Sequence, residues 1–349
     1  MPYSLANLLP PFIALLLTYG LCMLLYKTRL ADLFSDAGGG KKLHKKAVPA
    51  SGGIAIVLGI FGASAWFYPE FLMAEKWLFL GLTGIFSLGL IDDLKQLGWL
   101  PKLIAQLLLI GFVVAVGDVR LETVLFEDRF LLMPYALSVI LSIGILTFGT
   151  NAFNFIDGSD GLAALVALTA ILGMLFFQIP FFNPFLFVVV AAVFGFRMLN
   201  KEPAKIFMGD SGSLFLGLLC SVLLIKFIEA DLSTTNYWLE TYSQRLPVAI
   251  ALFWFPVFDT LRVFSLRLRA GKSLFERDKL HSYSLLLRLG YRPAFIALLV
   301  FLATLIQVLG AVYLVPVTGI YLYFVLQAIL WFGFHFYLRL LVKQFKEEK

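Results

Sequence analysis

Residues 130–178 read FLLMPYALSVILSIGILTFGTNAFNFIDGSDGLAALVALTAILGMLFFQ. Two apolar runs, 130–149 and 161–178, flank a short segment that contains two asparagines and two aspartates. A helix of about 20 mostly apolar residues crosses the hydrocarbon core of a bilayer. The stretch therefore predicts two membrane-spanning helices joined by an acidic loop.

The same pattern extends along the whole chain, because 60% of its 349 residues are hydrophobic and only 14% are charged. A soluble domain carries about a quarter charged residues. We therefore predict an all-α polytopic membrane protein with about eleven transmembrane helices, folded as a single domain over residues 1–349. The segment from 246 can also be a longer helix that leaves the membrane. The other apolar segments are 5–26, 53–68, 77–91, 102–117, 184–198, 213–228, 246–264, 294–314 and 319–338.

Basic residues set the predicted orientation. Most of the 28 Lys and Arg residues fall in alternate loops and in the C-terminal tail. Cytoplasmic loops of membrane proteins are enriched in Lys and Arg. The N-terminus is therefore predicted outside, the C-terminus in the cytoplasm, and the protein in the inner (cell) membrane. The net charge of +6 reflects this topology, so we expect no nucleic-acid partner.

Carboxylates are concentrated on the same predicted cytoplasmic face. Asp92 and Asp93 end the third apolar segment, Asp157 and Asp160 precede the sixth, and Asp210 precedes the eighth. Clustered carboxylates repel unless a cation or a proton lies among them, and Mg²⁺ typically bridges carboxylates and substrate phosphates. The pattern predicts a phosphate-handling active site. Its expected loops are 27–52, 92–101, 150–160, 199–212 and 265–293.

Each acidic residue also has a simpler interpretation. Asp160 and Asp210 could be helix N-caps, and Asp92 and Asp93 could be solvated carboxylates at a helix end. A transporter is a further alternative, but it predicts charged groups near the bilayer midplane. Three acidic loops at helix ends on one side favour an enzyme.

Four segments resemble the signature loops of the polyprenyl-phosphate N-acetylhexosamine-1-phosphate transferases. They are Lys41-Lys-Leu-His-Lys-Lys-Ala-Val-Pro-Ala-Ser-Gly-Gly53, Ile91-Asp-Asp-Leu94, Asn151-Ala-Phe-Asn-Phe-Ile-Asp-Gly-Ser-Asp-Gly161 and Phe207-Met-Gly-Asp-Ser-Gly-Ser213. The resemblance implies that a polyprenyl (undecaprenyl) phosphate attacks the β-phosphate of a UDP-N-acetylhexosamine. UMP leaves, and the polyprenyl-diphosphate sugar initiates cell-envelope polysaccharide synthesis. GlcNAc is the expected sugar. Other UDP-sugars, including UDP-MurNAc-pentapeptide, are alternatives.

The same resemblance implies roles for individual residues. Asp210, with Asn154 assisting, would bind Mg²⁺ or Mn²⁺. Related enzymes also suggest a homodimer. The implied catalytic residues are Asp92, Asp93, Asp157 and His281. The implied substrate-binding residues are Lys45, Lys46, Lys102, Asp160, Phe207 and Tyr283.

The ninth loop departs from the family pattern. Many members carry a His-x-His-His run, whereas this chain reads Arg277-Asp-Lys-Leu-His-Ser-Tyr-Ser284. His281 is retained, and Tyr283 is the predicted counterpart of a second histidine. The difference argues against the pentapeptide substrate and leaves the sugar open. Without the resemblance, His281 would be a juxtamembrane histidine with no role. His335, in an apolar helix, is predicted to be a packed or interfacial residue.

Overall fold

The computed structural model describes residues 5–28, 48–126, 129–177, 183–230, 239, 244–275 and 278–347. Lys45 and Lys46 lie outside the described residues. After a short 3-10 helix, Leu5–Leu8, the described chain forms fourteen helices and one hairpin. The first seven helices are α1 (Leu9–Lys27), α2 (Gly52–Phe67), α3 (Pro69–Ala74), α4 (Lys76–Lys95), α5 (Trp99–Ala115), α6 (Tyr135–Ile156) and α7 (Leu162–Phe176). The others are α8 (Asn183–Asn200), α9 (Gly209–Glu229), α10 (Arg245–Leu252), α11 (Trp254–Arg269), α12 (Ser282–Arg288), α13 (Pro293–Tyr313) and α14 (Val315–Glu347).

The helices are those of a polytopic membrane protein. Six of them, α1, α4, α6, α9, α13 and α14, are long and apolar enough to cross a membrane. A seventh span results if α10 and α11, which are bent by 75° at Phe253, count as one broken crossing. Four shorter apolar helices, α2, α5, α7 and α8, accompany them. The predicted segment from 246 is thus two helices.

The centre of the bundle is α9. Of its most apolar stretch, 89% is buried within the protein. Protein, not lipid, surrounds most of this apolar helix, because α9 packs against α2, α4, α6 and α7. Its N-terminal end, Gly209-Asp210, is therefore held among the ends of other helices.

Three predicted boundaries were wrong at the polar ends. Helix α6 continues through 150–156, so Asn154 lies in its last turn instead of a loop. Helix α4 likewise continues past Asp92 and Asp93, and α9 begins one residue before Asp210. Hydropathy placed the boundaries where the apolar runs stop. The helices extend further because their polar side chains are bonded to neighbouring helices.

A small hairpin, absent from the all-α prediction, lies at the opposite end of α9 and contains residues 130–132 of the predicted membrane segment 130–149, whose helix begins at Tyr135. Strands β1 (Thr123–Phe126) and β2 (Arg129–Leu132) pair antiparallel, with Thr123 opposite Leu132. The carboxylate of Glu229, at the end of α9, accepts the backbone N–H groups of Glu122 (3.0 Å) and Thr123 (3.1 Å). These bonds tie the hairpin to the central helix.

Helices α4 and α9 touch backbone to backbone at Gly89. A Cβ atom added to Gly89 would lie 2.5 Å from the carbonyl oxygen of Asp210 and 2.6 Å from Cα of Ser211. A real Cβ atom does not approach other heavy atoms so closely, and the packed interior leaves no space for one at Gly89. The missing side chain thus lets the acidic end of α4 reach the start of α9.

We expect Gly89→Ala to separate these helices and to lower the melting temperature, because overpacking typically costs about 1–3 kcal/mol. Gly144→Ala is the matched control, since a Cβ at Gly144 would meet nothing within 4 Å. Its added helix propensity, about 1 kcal/mol, predicts equal or greater stability. Thermal unfolding in detergent measures both variants. Equal melting temperatures for the two would contradict the close contact.

Candidate active site

Asp93 caps the N-terminus of α9 from a different helix. Its Oδ1 accepts the backbone N–H of Asp210 at 2.7 Å, and its Oδ2 accepts that of Ser211 at 2.9 Å. The first N–H groups of a helix lack partners within it, and a carboxylate there is favoured by the helix dipole. Asp210 is therefore not the cap of its own helix. Gly209, at φ +74°, adopts the left-handed conformation that the preceding turn requires.

The side chain of Asp210 instead shares a cation with Asp92. Nζ of Lys102 lies 2.8 Å from Oδ2 of Asp92 and 2.5 Å from Oδ2 of Asp210. The other oxygen of Asp92 accepts the backbone N–H of Leu97 at 2.6 Å. Asp92 is 6% exposed and Asp210 is 32% exposed. The two carboxylates thus converge on one positive charge, with Asp210 on the open side.

Asn154 holds Asp210 from the side of α6. Its Nδ2 donates to Oδ1 of Asp210 at 2.8 Å and to Oγ of Ser213 at 2.7 Å. The predicted metal ligands, Asp210 and Asn154, are therefore direct neighbours. Helices α4, α5, α6 and α9 all contribute to this cluster, although their sequence positions are far apart.

These residues fit a magnesium ion. The described residues contain no group of three or more His, Cys, Asp or Glu side chains that could enclose a metal. Asp92, Asp210 and Asn154 offer hard oxygen donors, and Mg²⁺ is usually bound by one or two carboxylates together with water and substrate phosphates. The ammonium of Lys102 between the carboxylates shows that the position favours a cation.

Asp157 follows the last turn of α6 and faces the same cluster. Burial, with repulsion from the carboxylates of Asp210 and Asp93, raises the pKa of Asp157 to about 7. Asp160 serves the adjacent backbone, because its Oδ2 accepts the N–H of Ala204 at 3.0 Å. This bond fixes the segment that leads into α9.

The segment before Asp210 pairs with the end of the first basic loop. The N–H of Phe207 donates to the carbonyl of Pro49, and the N–H of Gly52 donates to the carbonyl of Phe207, both at 2.8 Å. Gly53 donates in the same way to Met208 at 2.8 Å. The pairing places the described end of the basic loop beside Phe207.

His281 belongs to a buried network that α11 organises. Its Nδ1 lies 2.8 Å from Oδ2 of Asp259, a side chain with no solvent exposure. Oδ1 of Asp259 accepts Nη2 of Arg262 at 2.9 Å and the backbone N–H of Ser282 at 3.1 Å. The hydroxyl of Ser282 lies 2.6 Å from Nε2 of His335. Because Asp259 is an ionised acceptor beside Arg262, Nδ1 of His281 donates to it.

Aromatic contacts connect His281 to the acidic loop. The ring of Tyr283 stacks on that of His281, with centroids 5.9 Å apart and planes at 18°, and Phe155 of α6 lies 5.8 Å away. The hydroxyl of Tyr283 occupies the place where a side chain on Gly158 would lie. Burial raises the pKa of Tyr283 to about 12, so the phenol keeps its proton at neutral pH.

Comparison with known proteins identifies the family. The sequence model of glycosyl transferase family 4 matches residues 76–228. A probable undecaprenyl-phosphate N-acetylglucosaminyl 1-phosphate transferase of Bacillus subtilis (strain 168) is 30% identical over 302 residues, which cover 81% of this chain and 78% of that protein. The chain belongs to the polyprenyl-phosphate N-acetylhexosamine-1-phosphate transferase family. The resemblance inferred from its signature loops is therefore confirmed.

Other members of this transferase family show the range of substrates. A decaprenyl-phosphate N-acetylglucosaminephosphotransferase of Mycobacterium tuberculosis (strain ATCC 25618 / H37Rv) is 30% identical, with 78% of this chain and 73% of that protein covered. A phospho-N-acetylmuramoyl-pentapeptide-transferase of Geobacillus kaustophilus (strain HTA426) is 36% identical over 237 residues, covering 60% of this chain and 72% of that protein. The match to the family model ends at residue 228, before Asp259 and His281.

Sequence reasoning missed three members of the His281 network: Asp259, Arg262 and Ser282. A signal for the first two was present, because an Asp and an Arg three residues apart interrupt an apolar helix, and intramembrane charges mark functional or paired residues. His335 was predicted to be packed. It is buried, and it also joins the network through Ser282.

The raised pKa of Asp157 predicts that Asp157→Asn stabilises the fold, by an amount that depends on pH. The pKa of an aspartate in the unfolded chain is about 4. Between about pH 4 and 7, Asp157 is therefore protonated in the folded state and ionised in the unfolded state. The carboxylate therefore destabilises the fold increasingly as pH rises through this range, with the full effect above pH 7. In EDTA, Asp157→Asn should raise the melting temperature more at pH 8 than at pH 5.5. The exposed Asp118→Asn is the control, and an equal effect at both pH values would contradict the shift.

Proposed function

We propose that the protein transfers a HexNAc-1-phosphate, with GlcNAc as the expected sugar, from a UDP-sugar to polyprenyl (undecaprenyl) phosphate. The products are UMP and a polyprenyl-diphosphate sugar. One observation carries the proposal: Asp92 and Asp210, from two helix ends, share the ammonium of Lys102. Such an arrangement suits the binding of a cation and phosphates together. The similarity to the Bacillus undecaprenyl-phosphate and Mycobacterium decaprenyl-phosphate N-acetylglucosaminyl phosphotransferases supports it.

We also propose the orientation. The apolar segments give about eleven crossings, and the loops rich in Lys and Arg place the N-terminus outside and the C-terminus in the cytoplasm. The long, broken and shorter apolar helices together offer that number of segments. The acidic cluster would then face the cytoplasm at the inner membrane, where a UDP-sugar can meet a lipid phosphate. The lipid-linked product would initiate a cell-envelope polysaccharide, and a homodimer stays a prediction.

Asp210 and Asn154, with Asp92 beside them, would hold Mg²⁺ or Mn²⁺. When bound, the ion would neutralise charge on the substrate phosphates. Lys102 would then be free to bind the diphosphate of the nucleotide sugar. Both carboxylate oxygens of Asp93 accept backbone N–H groups of α9. We therefore propose that Asp93 positions Asp210. Lys45, Lys46, Asp160 and Phe207 are the proposed nucleotide-binding residues.

Two groups are suited to handling protons and the sugar. Asp157, with a pKa of about 7, can hold or release a proton at physiological pH. His281, whose Nδ1 is committed to Asp259, keeps Nε2 for a substrate oxygen. Tyr283, protonated beside it, would donate a hydrogen bond. Asp259 is thus a positioning residue for His281.

A transporter is less well supported by the structure. A transport path requires polar groups that reach across the bilayer, whereas the acidic cluster lies at helix ends. The intramembrane charges of Asp259 and Arg262 bond to each other. A different UDP-sugar remains the nearer alternative, because the His281-Ser-Tyr-Ser284 segment differs from the common family pattern.

The transfer is testable with purified protein, polyprenyl phosphate and a panel of radiolabelled UDP-sugars, in Mg²⁺, Mn²⁺ or EDTA. We expect a lipid-linked product only with the metal ion, formed fastest from UDP-GlcNAc. Asp210→Asn should lower the rate by roughly 100-fold or more, the size of effect seen when a group that stabilises developing charge is removed.

Asp118→Asn is the control, because that exposed carboxylate pairs with Arg120 away from the cluster. It should leave transfer unchanged. Full activity of a folded Asp210→Asn protein, or transfer in EDTA, would refute the proposed site. A preference for another donor would replace GlcNAc as the sugar.

The positioning role of Asp259 is tested with Asp259→Asn. An amide cannot stabilise the donating ring of His281 as a carboxylate does, so we expect transfer to fall roughly 10- to 100-fold, as for other residues that orient a functional histidine. In a His281→Gln background, Asp259→Asn should lower the rate of transfer little further, because the two residues act together. Additive losses in the double variant would indicate a separate structural role for Asp259.

A further inference from the structure

A cavity of about 560 Å³ lies beside α11, away from the acidic cluster. Arg262 and Leu266, one helical turn apart, line it. Phe264 lies between them in sequence and so points to the opposite side of the helix. That ring packs on Phe148 and Phe155 of α6, the helix that carries Asn154. The cavity and the acidic cluster thus lie on different sides of α11.

The lining of this cavity, called the basic pocket below, is strongly cationic. The basic residues that line it are Arg262, Arg267, Lys272, Lys279, Arg288 and Arg339. Asp278 is the acidic residue among the described lining residues, and it is already paired with Arg267 at 2.8 Å. The hydrogen bond from Arg267 holds the pKa of Asp278 below its ordinary value despite partial burial. A large positive excess therefore faces the pocket.

Arg262 supplies a second indication of an anionic ligand. The residue is 5% exposed, and its Nη2 bonds to Asp259 at 2.9 Å and to the carbonyl of Leu280 at 2.5 Å. Its Nε and Nη1 are buried and have no hydrogen-bond partner among the described residues. Buried N–H groups of a guanidinium strongly favour an acceptor, and phosphate matches their geometry.

The pocket is also partly apolar and lies at the membrane boundary. Leu266, Leu280 and Leu285 form part of its wall. Its helices α11 and α14 both belong to candidate membrane spans. On α14, Phe336 lies one turn before the pocket residue Arg339 and is 68% exposed, as expected of a side chain that faces lipid. A ligand that combines a phosphate with a hydrocarbon chain would satisfy both parts of the lining.

We propose that the basic pocket binds the phosphate headgroup of an anionic glycerophospholipid. The phosphate would lie among Arg262, Arg288 and Arg339, and the acyl chains would extend along α11 and α14. Arg262 also bonds to the carbonyl of Leu280, the residue before His281. A bound headgroup would therefore steady the loop that carries His281, whichever reaction the acidic cluster performs.

Native mass spectrometry of the full-length protein tests the proposal by titration with dioctanoyl phosphatidylglycerol, dioctanoyl phosphatidylcholine or inorganic phosphate. We expect one phosphatidylglycerol per chain to be retained. Each basic residue near a membrane surface contributes about a fivefold gain in affinity for anionic lipid. The exposed pair Arg288→Gln/Arg339→Gln should therefore weaken binding by roughly 25-fold. The charge-conserving pair Arg288→Lys/Arg339→Lys should retain most of it.

Arg292→Gln is the matched control, because this exposed arginine lies outside the pocket and pairs with Glu202. It should change the affinity less than about twofold. Equal retention of phosphatidylcholine, or equal effects of the Arg288/Arg339 pair and of Arg292→Gln, would overturn the proposal. Displacement of the lipid by inorganic phosphate at comparable concentration would also overturn it, by identifying a site for free phosphate.

Discussion

The carboxylate of Asp93 across the first turn of α9 is the interaction on which the site depends. It satisfies two N–H groups that α9 cannot satisfy itself, and Gly89 lets the backbones approach closely enough for the bonds to form. Because a neighbouring helix supplies this cap, the side chain of Asp210 is free to face Lys102 and Asn154. A single inter-helix contact therefore orients the residue most suited to hold a cation.

A second level of organisation comes from α11, which separates two environments. One side packs through Phe264 against α6, the helix that carries Asn154, whereas the other carries Arg262 toward the basic pocket. Asp259, on the same helix, fixes His281 through a fully buried carboxylate. Burying such a charge is costly unless it is paired and hydrogen-bonded. The bonds from Arg262, His281 and Ser282 meet that requirement, so the network has a defined arrangement.

Much of the fold could be predicted from hydropathy, because lipid requires long apolar helices. The predicted segments correspond to helices of the described chain, with errors where polar side chains continue a helix past its apolar run. Asn154 shows the cause. It interrupts the apolar pattern, yet its amide bonds to Asp210 and Ser213 keep it within α6. Hydropathy also assigned residues 130–132 to the membrane segment 130–149, whereas they form strand β2 of a hairpin that the distant Glu229 anchors.

By itself, the sequence determined the family, the membrane class and the identity of the acidic residues, because these depend on composition and on short motifs. Only the tertiary structure decided which role each of these acidic residues has. Asp92 and Asp93 are adjacent in sequence, yet one shares a lysine with Asp210 and the other caps a helix. Asp259 and the basic pocket also required the structure. Apart from the neighbouring Arg262, the partners of Asp259 come from a distant segment, and the distances that define these bonds exist only once the helices have packed.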